Sequence, residues 1–507
     1  MAEKTKKRSP IIEFISGKSL GLILALIQLI ISVVFLSFIA ELQILPLKYF
    51  GIIALGLFIL FLITFLTQFY PKISIPFKLF AIIIPVVLIF IYGKYIRPID
   101  NLVDDIGNAG TQTHVMALYS LADKDTTIKD EDAYLIGYLG GADLESSTKY
   151  IDDLKKSLEI SFETKEYETY EDGVIALFNG DINALILNTA YIELITDSSL
   201  IDHLDADMRN KFLNFATLTK VIKEVEYEVE IPTTLPDNTY VRPDVTKDPF
   251  CMYISGIDVY GKITKTSRSD VNILAFINPK TKQILLVNTP RDSYVVNPYS
   301  YGKKDKLTHA AIYGIDSSIG ALSELYGLDV DFFFRVNFTG FTKIINALDG
   351  VNVYSQYKFS SGGYDFVKGY NELNGEQALI FCRERKSLPG GDRQRGKNQM
   401  AVITAVIKKM ASSKLLTNYT EIINSINGSF QTSLTSDEIS SLIKMQINDM
   451  SSWNIQTFSV DGSGSMEYTY TSPKGKRSVI ILNEETIAKA KVLIEQVYNG
   501  ETINLNP

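Results

Sequence analysis

The stretch FCRERKSLPGGDRQRGKNQMAVI (381–403) carries six Lys or Arg side chains between Arg383 and Lys397, in a chain whose formal charge is −8. The run ALIFCRER (378–385), which overlaps the start of this stretch, has the apolar content of a strand. A strand would place Arg383 and Arg385 on one face, because side chains alternate with a period of two. Arginine holds phosphate oxygens through paired N–H donors, so this pattern predicts an anion site.

A helix is predicted after the Pro-Gly-Gly turn of this stretch, and Asp392 is a candidate cap for it. Arg395 and Gln399 are four residues apart and share a face of that helix. The face continues into an apolar stripe of Val402, Ile403, Val406 and Met410. Arg395 and Gln399 are therefore predicted to face the core near a helix amino terminus, which is where anions bind. The alternative is a solvated charged loop, which the core-facing phase disfavours.

The apolar run MYISGID (252–258) predicts a strand that ends just before Asp258. Ligands of α/β sheets bind beyond the carboxyl ends of strands. A second carboxylate, Asp270, follows in the sequence, and two carboxylates in a basic pocket predict a hard cation such as Mg²⁺. Salt bridges between these carboxylates and the arginines are the alternative.

Two apolar runs flank the turn NPKTKQ (278–283) and predict a β-hairpin. If Ile277 pairs with Ile284, the antiparallel register places Asp270 opposite Arg291. Arg268 is predicted beside them at the same edge. A shift of register by one residue would move both partners, so the prediction depends on this pairing.

The segment DFFFRVNFTGFTKIINALDGV (331–351) is rich in aromatic residues and predicts a strand followed by a helix. Such residues commonly form core. A phosphate site at a membrane face would also need an apolar groove for a lipid tail. The candidate lipid-binding residues are Phe334, Phe338, Phe341 and Ile345.

The first 98 residues of the 507 differ from the rest in composition. Three nearly uncharged runs, at 20–40, 47–69 and 77–95, are each about long enough to cross a membrane. Lys and Arg are concentrated before the first run and in the turn between the second and third. By the positive-inside rule, the amino terminus is predicted to be cytoplasmic and the chain after residue 98 extracellular.

The remainder divides by charge into an acidic segment, 99–245, with a net charge of −19, and a mildly basic segment, 246–507, with +4. Alternating strand-like and helical runs predict an α/β accessory domain in the acidic segment, with a proline-rich linker at 231–249. The only cysteines, Cys251 and Cys382, lie in the basic segment. They are either a disulfide or two buried thiols, and spacing does not decide between these.

Six short motifs of the basic segment, taken together, resemble the LytR-CpsA-Psr family, close to its streptococcal capsule-type members. The resemblance covers about residues 246–450 and also fits the three-span anchor and the extra domain. The motifs, in order, are ISGID, RSD, NTPRDSYV, KLTHAAIYG, LNGEQALIFCRER and GGDRQRGKNQ.

The resemblance implies an α/β/α-sandwich catalytic domain with a mixed central sheet. It implies a phosphotransferase that moves a glycopolymer, such as capsular polysaccharide or teichoic acid, from undecaprenyl-pyrophosphate to peptidoglycan. Other capsule-assembly proteins are expected as further partners. Asp258 and Asp270 would hold magnesium, and Asp258 is the preferred proton acceptor. The pyrophosphate would be held by Arg268, Arg291, Arg383, Arg385, Arg395 and Gln399, with Arg385 and Arg395 as catalytic residues.

Members of the family commonly carry Arg where this chain has Tyr260, and Lys306 and His309 are further candidates from the resemblance. Three other function classes remain as alternatives. A nucleic-acid-binding regulator conflicts with an extracellular basic loop. A non-catalytic assembly scaffold would tolerate loss of both aspartates. A polyprenyl-pyrophosphate hydrolase would transfer the polymer to water.

Overall fold

The computed structural model describes residues 17–41, 44–70, 73–97, 111–124, 134–158, 162–231, 240–260, 263, 265–300, 302–412, 428 and 430–505. The chain divides into two compact units. One contains the amino-terminal helices together with a later helix at 436–449, and the other contains both large β-sheets.

Three amino-terminal helices are long and apolar enough to cross a membrane: α1 Lys18–Glu41, α2 Leu47–Thr67 and α3 Ser74–Ile91. Their outward-facing side chains are largely Ile, Leu, Val and Phe. This agrees with the three predicted spans. A π-helical turn, Tyr92–Ile96, extends α3.

The accessory segment folds as a mixed five-stranded sheet of β1 Thr111–Leu121, β2 Leu135–Leu139, β3 Glu163–Tyr167, β4 Ala184–Asn188 and β5 Thr219–Glu230. The strands lie in the order β3-β2-β4-β1-β5. Its helices are α4 Leu144–Leu158, α5 Tyr170–Asn179, α6 Ile192–Ile195, α7 Ala206–Leu213 and α8 Phe215–Leu218. The predicted α/β pattern of this segment is confirmed. The predicted linker lies partly outside the described residues.

The second sheet has six strands: β6 Phe250–Ile257, β7 Ser269–Asn278, β8 Gln283–Asn288, β11 Phe332–Asn337, β16 Phe430–Thr432 and β17 Asn454–Ser459. They lie in the order β16-β11-β6-β7-β8-β17. Parallel and antiparallel pairs are mixed. Apolar residues of two helices, at 315–326 and 484–498, pack on one face, and those of the helix at 392–410 pack on the other. This is the α/β/α sandwich that the family resemblance implied.

Shorter elements surround this sheet. The strands are β9 Tyr294–Val296, β10 Lys304–Lys306, β12 Val351–Ser355, β13 Phe359–Ser361, β14 Tyr364–Phe366, β15 Gly369–Leu373, β18 Gly462–Thr469 and β19 Ser472–Leu482. The helices are α9 Leu307–Ala310, α10 Ile315–Tyr326, α11 Phe338–Ala347, α12 Gly375–Arg383, α13 Asp392–Met410, α14 Ser436–Asp449 and α15 Glu484–Tyr498.

The strand predicted at 378–385 is wrong, because residues up to Arg383 belong to helix α12. Asn374 and Gln377 form a reciprocal capping box that fixes the start of this helix. Its buried residues include Ala378, Phe381 and Cys382, which recur at helical spacing. Arg383 therefore ends a helix, and it does not share a strand face with Arg385.

Cys251 and Cys382 are both buried and both free, which is the second of the two alternatives left open by the sequence. Burial raises the pKa of the Cys382 thiol to about 12, and it raises that of Cys251 well above its ordinary value. Neither side chain has the exposure or the thiolate character of a reactive cysteine.

We expect neither thiol to react with a maleimide in the folded protein at neutral pH, and both to react after unfolding. Mass spectrometry of labelled, unreduced protein purified from its native membrane checks this. A mass two hydrogens lower, with no labelling after unfolding, would show a disulfide instead.

Candidate functional site

The hairpin of β7 and β8 has the predicted register, with Ile277 paired to Ile284. Asp270 lies near the start of β7, and Arg291 follows the end of β8. Their side chains form an ion pair through Asp270 Oδ1 and Arg291 Nη1. Period-two geometry of a short hairpin thus brings together two residues that are distant in sequence.

The amino terminus of α13 contributes the next charge. Arg395 is only 6% exposed, with Nη1 3.5 Å from Asp270 Oδ2 and Nη2 2.6 Å from Asp392 Oδ1. A Cβ on the next residue, Gly396, would lie 2.5 Å from Asn288 Nδ2, so glycine allows α13 to approach the end of β8. The core-facing phase predicted for Arg395 is confirmed.

Burial governs the charges of this cluster. It raises the pKa of the Asp392 carboxyl, against the lowering effect of Arg395. Burial alone would lower the pKa of Arg291, but Asp270 and Asp292 outweigh it and raise that pKa. Arg291 therefore stays charged. Its Nε is buried and makes no hydrogen bond within the described part of the chain, and Asp292 Oδ1 lies 3.8 Å from it.

Asp258 lies just beyond the end of β6, as predicted, and its side chain is 27% exposed. Arg383 Nη2 lies 3.8 Å from Asp258 Oδ1. The Arg383 guanidinium also lies over the Phe338 ring, 4.4 Å from its centre. Tyr260 meets the same ring edge-on at 5.1 Å. An aromatic residue thus stands beside the charged site.

Asp292 is a further candidate site residue, which was not predicted from the sequence. Its Oδ1 lies 3.3 Å from Lys306 Nζ and 3.8 Å from Arg291 Nε. It directly follows Arg291 in the NTPRD motif, which was a usable signal. His309 is buried and lies 2.9 Å from Asp305 Oδ1 through Nδ1, so it supports the helix start after Lys306.

Arg268 is not paired with Asp270. Its Nε lies 2.9 Å from Glu193 Oε2, and its Nη1 lies 3.4 Å from Asp197 Oδ2. Both carboxylates come from the accessory segment: Glu193 lies on the short helix α6, and Asp197 follows the end of that helix. No site residue was predicted in that segment.

Arg385 and Gln399 are two further candidates, of which the first is exposed and the second is buried. Arg385 lies in the loop between α12 and α13 and is exposed, and its charge lowers the pKa of Asp392 only as a minor effect. Gln399 is buried and its Nε2 donates to the Cys382 carbonyl oxygen at 3.4 Å. Gln399 therefore joins α13 to the end of α12.

The aromatic candidates lie on β11 and α11. Phe334 stacks on Phe430 with ring centres 5.0 Å apart. Phe338 and Phe341 are half-buried, and Ile345 is fully buried. A lipid-binding role for these residues stays a prediction.

The described residues contain no group of three or more His, Cys, Asp or Glu side chains arranged to hold a metal ion. Magnesium fits the donors that are present, because it commonly takes one or two carboxylates and completes its shell with water and substrate phosphates. Asp258 is the better placed ligand, since its single ion-pair partner in the described part of the chain is 3.8 Å away. Asp270 has arginines at both oxygens.

Comparisons with known proteins give a consistent family. Residues 215–486 match the sequence model of a protein family, which is described as the LytR_cpsA_psr family. A polyisoprenyl-teichoic acid–peptidoglycan teichoic acid transferase, TagU of Enterococcus faecalis, is 35% identical over 196 residues, which are 38% of this chain and 64% of that protein. TagU of Bacillus anthracis is 33% identical over 227 residues, covering 44% of this chain and 73% of its own length.

Solved structures of similar proteins include B. subtilis TagV, at 26% identity and a TM-score of 0.43, covering 51% of this chain and 99% of that one. TagT bound to LI-WTA has 27% identity and a TM-score of 0.41, covering 51% and 93%.

Proposed function

This chain belongs to the LytR_cpsA_psr family, and we propose on that basis that it transfers a glycopolymer to peptidoglycan. The donor is the polymer linked to undecaprenyl-pyrophosphate, and the product is a phosphodiester between polymer and peptidoglycan. The polymer is a teichoic acid, a capsular polysaccharide or a similar glycan. Relatives named as teichoic acid transferases support the reaction class.

One observation carries the proposal: the buried Arg395 and the largely buried Arg291 meet at Asp270, at the amino terminus of α13. A solvated charged loop would not bury guanidinium groups. Helix amino termini bind anions, and arginine forks match phosphate oxygens.

In the proposed reaction, an acceptor hydroxyl oxygen of peptidoglycan attacks the phosphorus that carries the polymer. The bond from this phosphorus to the bridging oxygen breaks, and the polyprenyl phosphate leaves with the electron pair. Asp258 accepts the hydroxyl proton. Arg291, Arg383 and Arg395 neutralise charge on the phosphoryl oxygens, which is the main requirement of such transfers.

Magnesium, held by Asp258 and Asp270, would add neutralisation of the pyrophosphate charge. Asp270 also fixes Arg291 and Arg395, so its charge serves the arginines whether or not the ion is bound. The apolar candidates Phe334, Phe338, Phe341 and Ile345 would contact the polyprenyl chain. Phe338 is the one in direct contact with a site arginine, Arg383.

The three apolar helices anchor the protein in a membrane, and we propose that the amino terminus is cytoplasmic and the sheets extracellular. The Lys and Arg residues before the first apolar run and in the turn between the second and third runs support this orientation. It also fits the substrates, because peptidoglycan is assembled outside the cell.

We expect protease added to intact protoplasts to digest the part of the chain after residue 98, because that part is outside. Immunoblotting against the carboxyl terminus measures this, and a cytoplasmic protein in the same sample controls for lysis. Full protection, with digestion only after lysis, would contradict the orientation.

The proposed function is tested by the wall-linked polymer content of a strain that lacks this chain. We expect wall phosphorus or wall polysaccharide to fall, with polymer released into the medium, and the wild-type chain to restore it. An unchanged wall in a strain without other family members would contradict the proposal. Full restoration of the wall-linked polymer by a chain lacking both Asp258 and Asp270 would show that the protein is a non-catalytic scaffold.

A further inference from the structure

Arg268 links the site to a segment that lies outside the family match. The match begins at residue 215, so Glu193 and Asp197 precede it, whereas Arg268 lies within it. The two carboxylates hold Nε and Nη1 of one guanidinium at 2.9 and 3.4 Å. Both sheets belong to one compact unit, so this contact is part of its packing.

The position of Arg268 ties it to the reaction site. Its carbonyl oxygen accepts a hydrogen bond from the Asp258 backbone N at 3.4 Å. Its side chain is 18% exposed, so without its partners it would be a largely buried unpaired charge, which is costly. The carboxylates therefore restrict the guanidinium to one orientation.

The carboxylates are themselves fixed. Asp197 accepts hydrogen bonds from Ser199 N at 2.9 Å and Ser199 Oγ at 2.6 Å. Burial raises the pKa of Glu193, Arg268 opposes this, and the charges of Asp258 and Asp270 add to the rise. Glu193 is thus within electrostatic reach of both site aspartates.

A second set of contacts holds the same stretch of the accessory segment. The buried Arg477 of β19 donates to the Leu200 carbonyl oxygen and pairs with Asp202. Further along β19, Ile480 N donates to the Asp292 carbonyl oxygen at 2.8 Å. One strand thus connects the segment that carries Asp197 to the site motif that carries Asp292.

We propose that Glu193 and Asp197 are positioning residues that orient Arg268 to bind the pyrophosphate. The accessory segment is then part of the active site. The inference rests on the proposed function for the identity of the ligand. A preoriented arginine loses less conformational freedom when a phosphate binds, so the carboxylates favour binding even though they share its charge. The family domain alone would not reproduce this chain's affinity.

The test uses the full chain in detergent with Mg²⁺ and farnesyl pyrophosphate as the probe, and calorimetry measures the dissociation constant. We expect Glu193→Gln to weaken binding about tenfold, by analogy with the affinity lost when the hydrogen-bond partner of a metal ligand is removed. Arg268→Ala should weaken it at least as much. The double variant should bind no more weakly than Arg268→Ala alone, because Glu193 acts through Arg268.

Asp172→Asn is the matched control. Asp172 also lies in the accessory segment and pairs with a residue of the family domain, Lys474, but not with a site arginine. We expect its affinity to equal that of the wild type. A tenfold loss of affinity in this variant would show that general weakening of domain packing, and not the orientation of Arg268, lowers the affinity.

Other results would overturn the inference. Additive losses in the double variant would show that Glu193 acts independently of Arg268. Wild-type affinity in Glu193→Gln would show that the contact has no role, and tighter binding would show that it withholds Arg268 from the ligand. If the wild type binds the probe but transfers no glycan, the proposed function fails while this cycle still decides the inference. No binding by the wild type would overturn both.

Discussion

Arg395→Ala is expected to lower the rate of glycan transfer by about 100- to 1000-fold, which corresponds to about 3–4 kcal/mol of transition-state stabilisation. Arg395 is buried, is placed at the start of α13 and contacts both Asp270 and Asp392. Its loss removes a preorganised donor, and it also removes one ion-pair partner from each of these two carboxylates. Arg395→Lys should recover little, because an ammonium group lacks the planar fork.

The matched control for Arg395 is Lys397, two residues later on the same helix and exposed to solvent. Lys397→Ala should keep a rate within about twofold of the wild type, since surface charges contribute little. Initial rates with lipid-linked glycan and peptidoglycan, together with unfolding temperatures, check both variants. Equal rates for the two folded variants would mean that the basic stretch is only a charged surface.

Asp258→Asn is expected to lower transfer by about 100- to 10,000-fold, the usual contribution of a general base. The substitution removes the proposed proton acceptor and the better placed magnesium ligand, but it keeps the size of the side chain. Rates measured over a magnesium titration separate these roles. We expect the wild type to respond to added Mg²⁺ and the variant to respond weakly at every concentration.

Asp461→Asn serves as the control for Asp258. Asp461 is also partly exposed and paired with an arginine, Arg393, at 2.8 Å, but neither was assigned to the site. Its rate should stay near that of the wild type. A folded Asp258→Asn protein with the same rate and magnesium response as Asp461→Asn would exclude Asp258 from the chemistry.

Local patterns predicted the parts of the site that depend on one secondary-structure period. Alternation along the hairpin brought Asp270 to Arg291, and helical spacing turned Arg395 toward the core. The prediction for 378–385 was wrong because a short apolar run fits a strand and a helix equally well. The decisive signal was the capping pair Asn374 and Gln377.

The contact between the accessory segment and Arg268 could not be predicted in this way. Glu193 and Asp197 meet Arg268 through packing of segments more than seventy residues apart, and no local periodicity encodes such packing. The acidic charge of the segment was visible in the sequence, but the two carboxylates that pair with Arg268 were not distinguishable among the others. Asp292 was distinguishable, because it adjoins Arg291 in one motif.

The proposed function is tested most directly by the product that the purified full chain forms from a lipid-pyrophosphate-linked glycan, Mg²⁺ and peptidoglycan. We expect glycan joined to peptidoglycan through a phosphodiester, identified by mass spectrometry of muramidase fragments, with polyprenyl phosphate released in equal amount. We also expect Arg395→Ala to lose both products together. Release of polyprenyl phosphate with only free glycan phosphate in solution would show that the protein is a hydrolase and not a transferase.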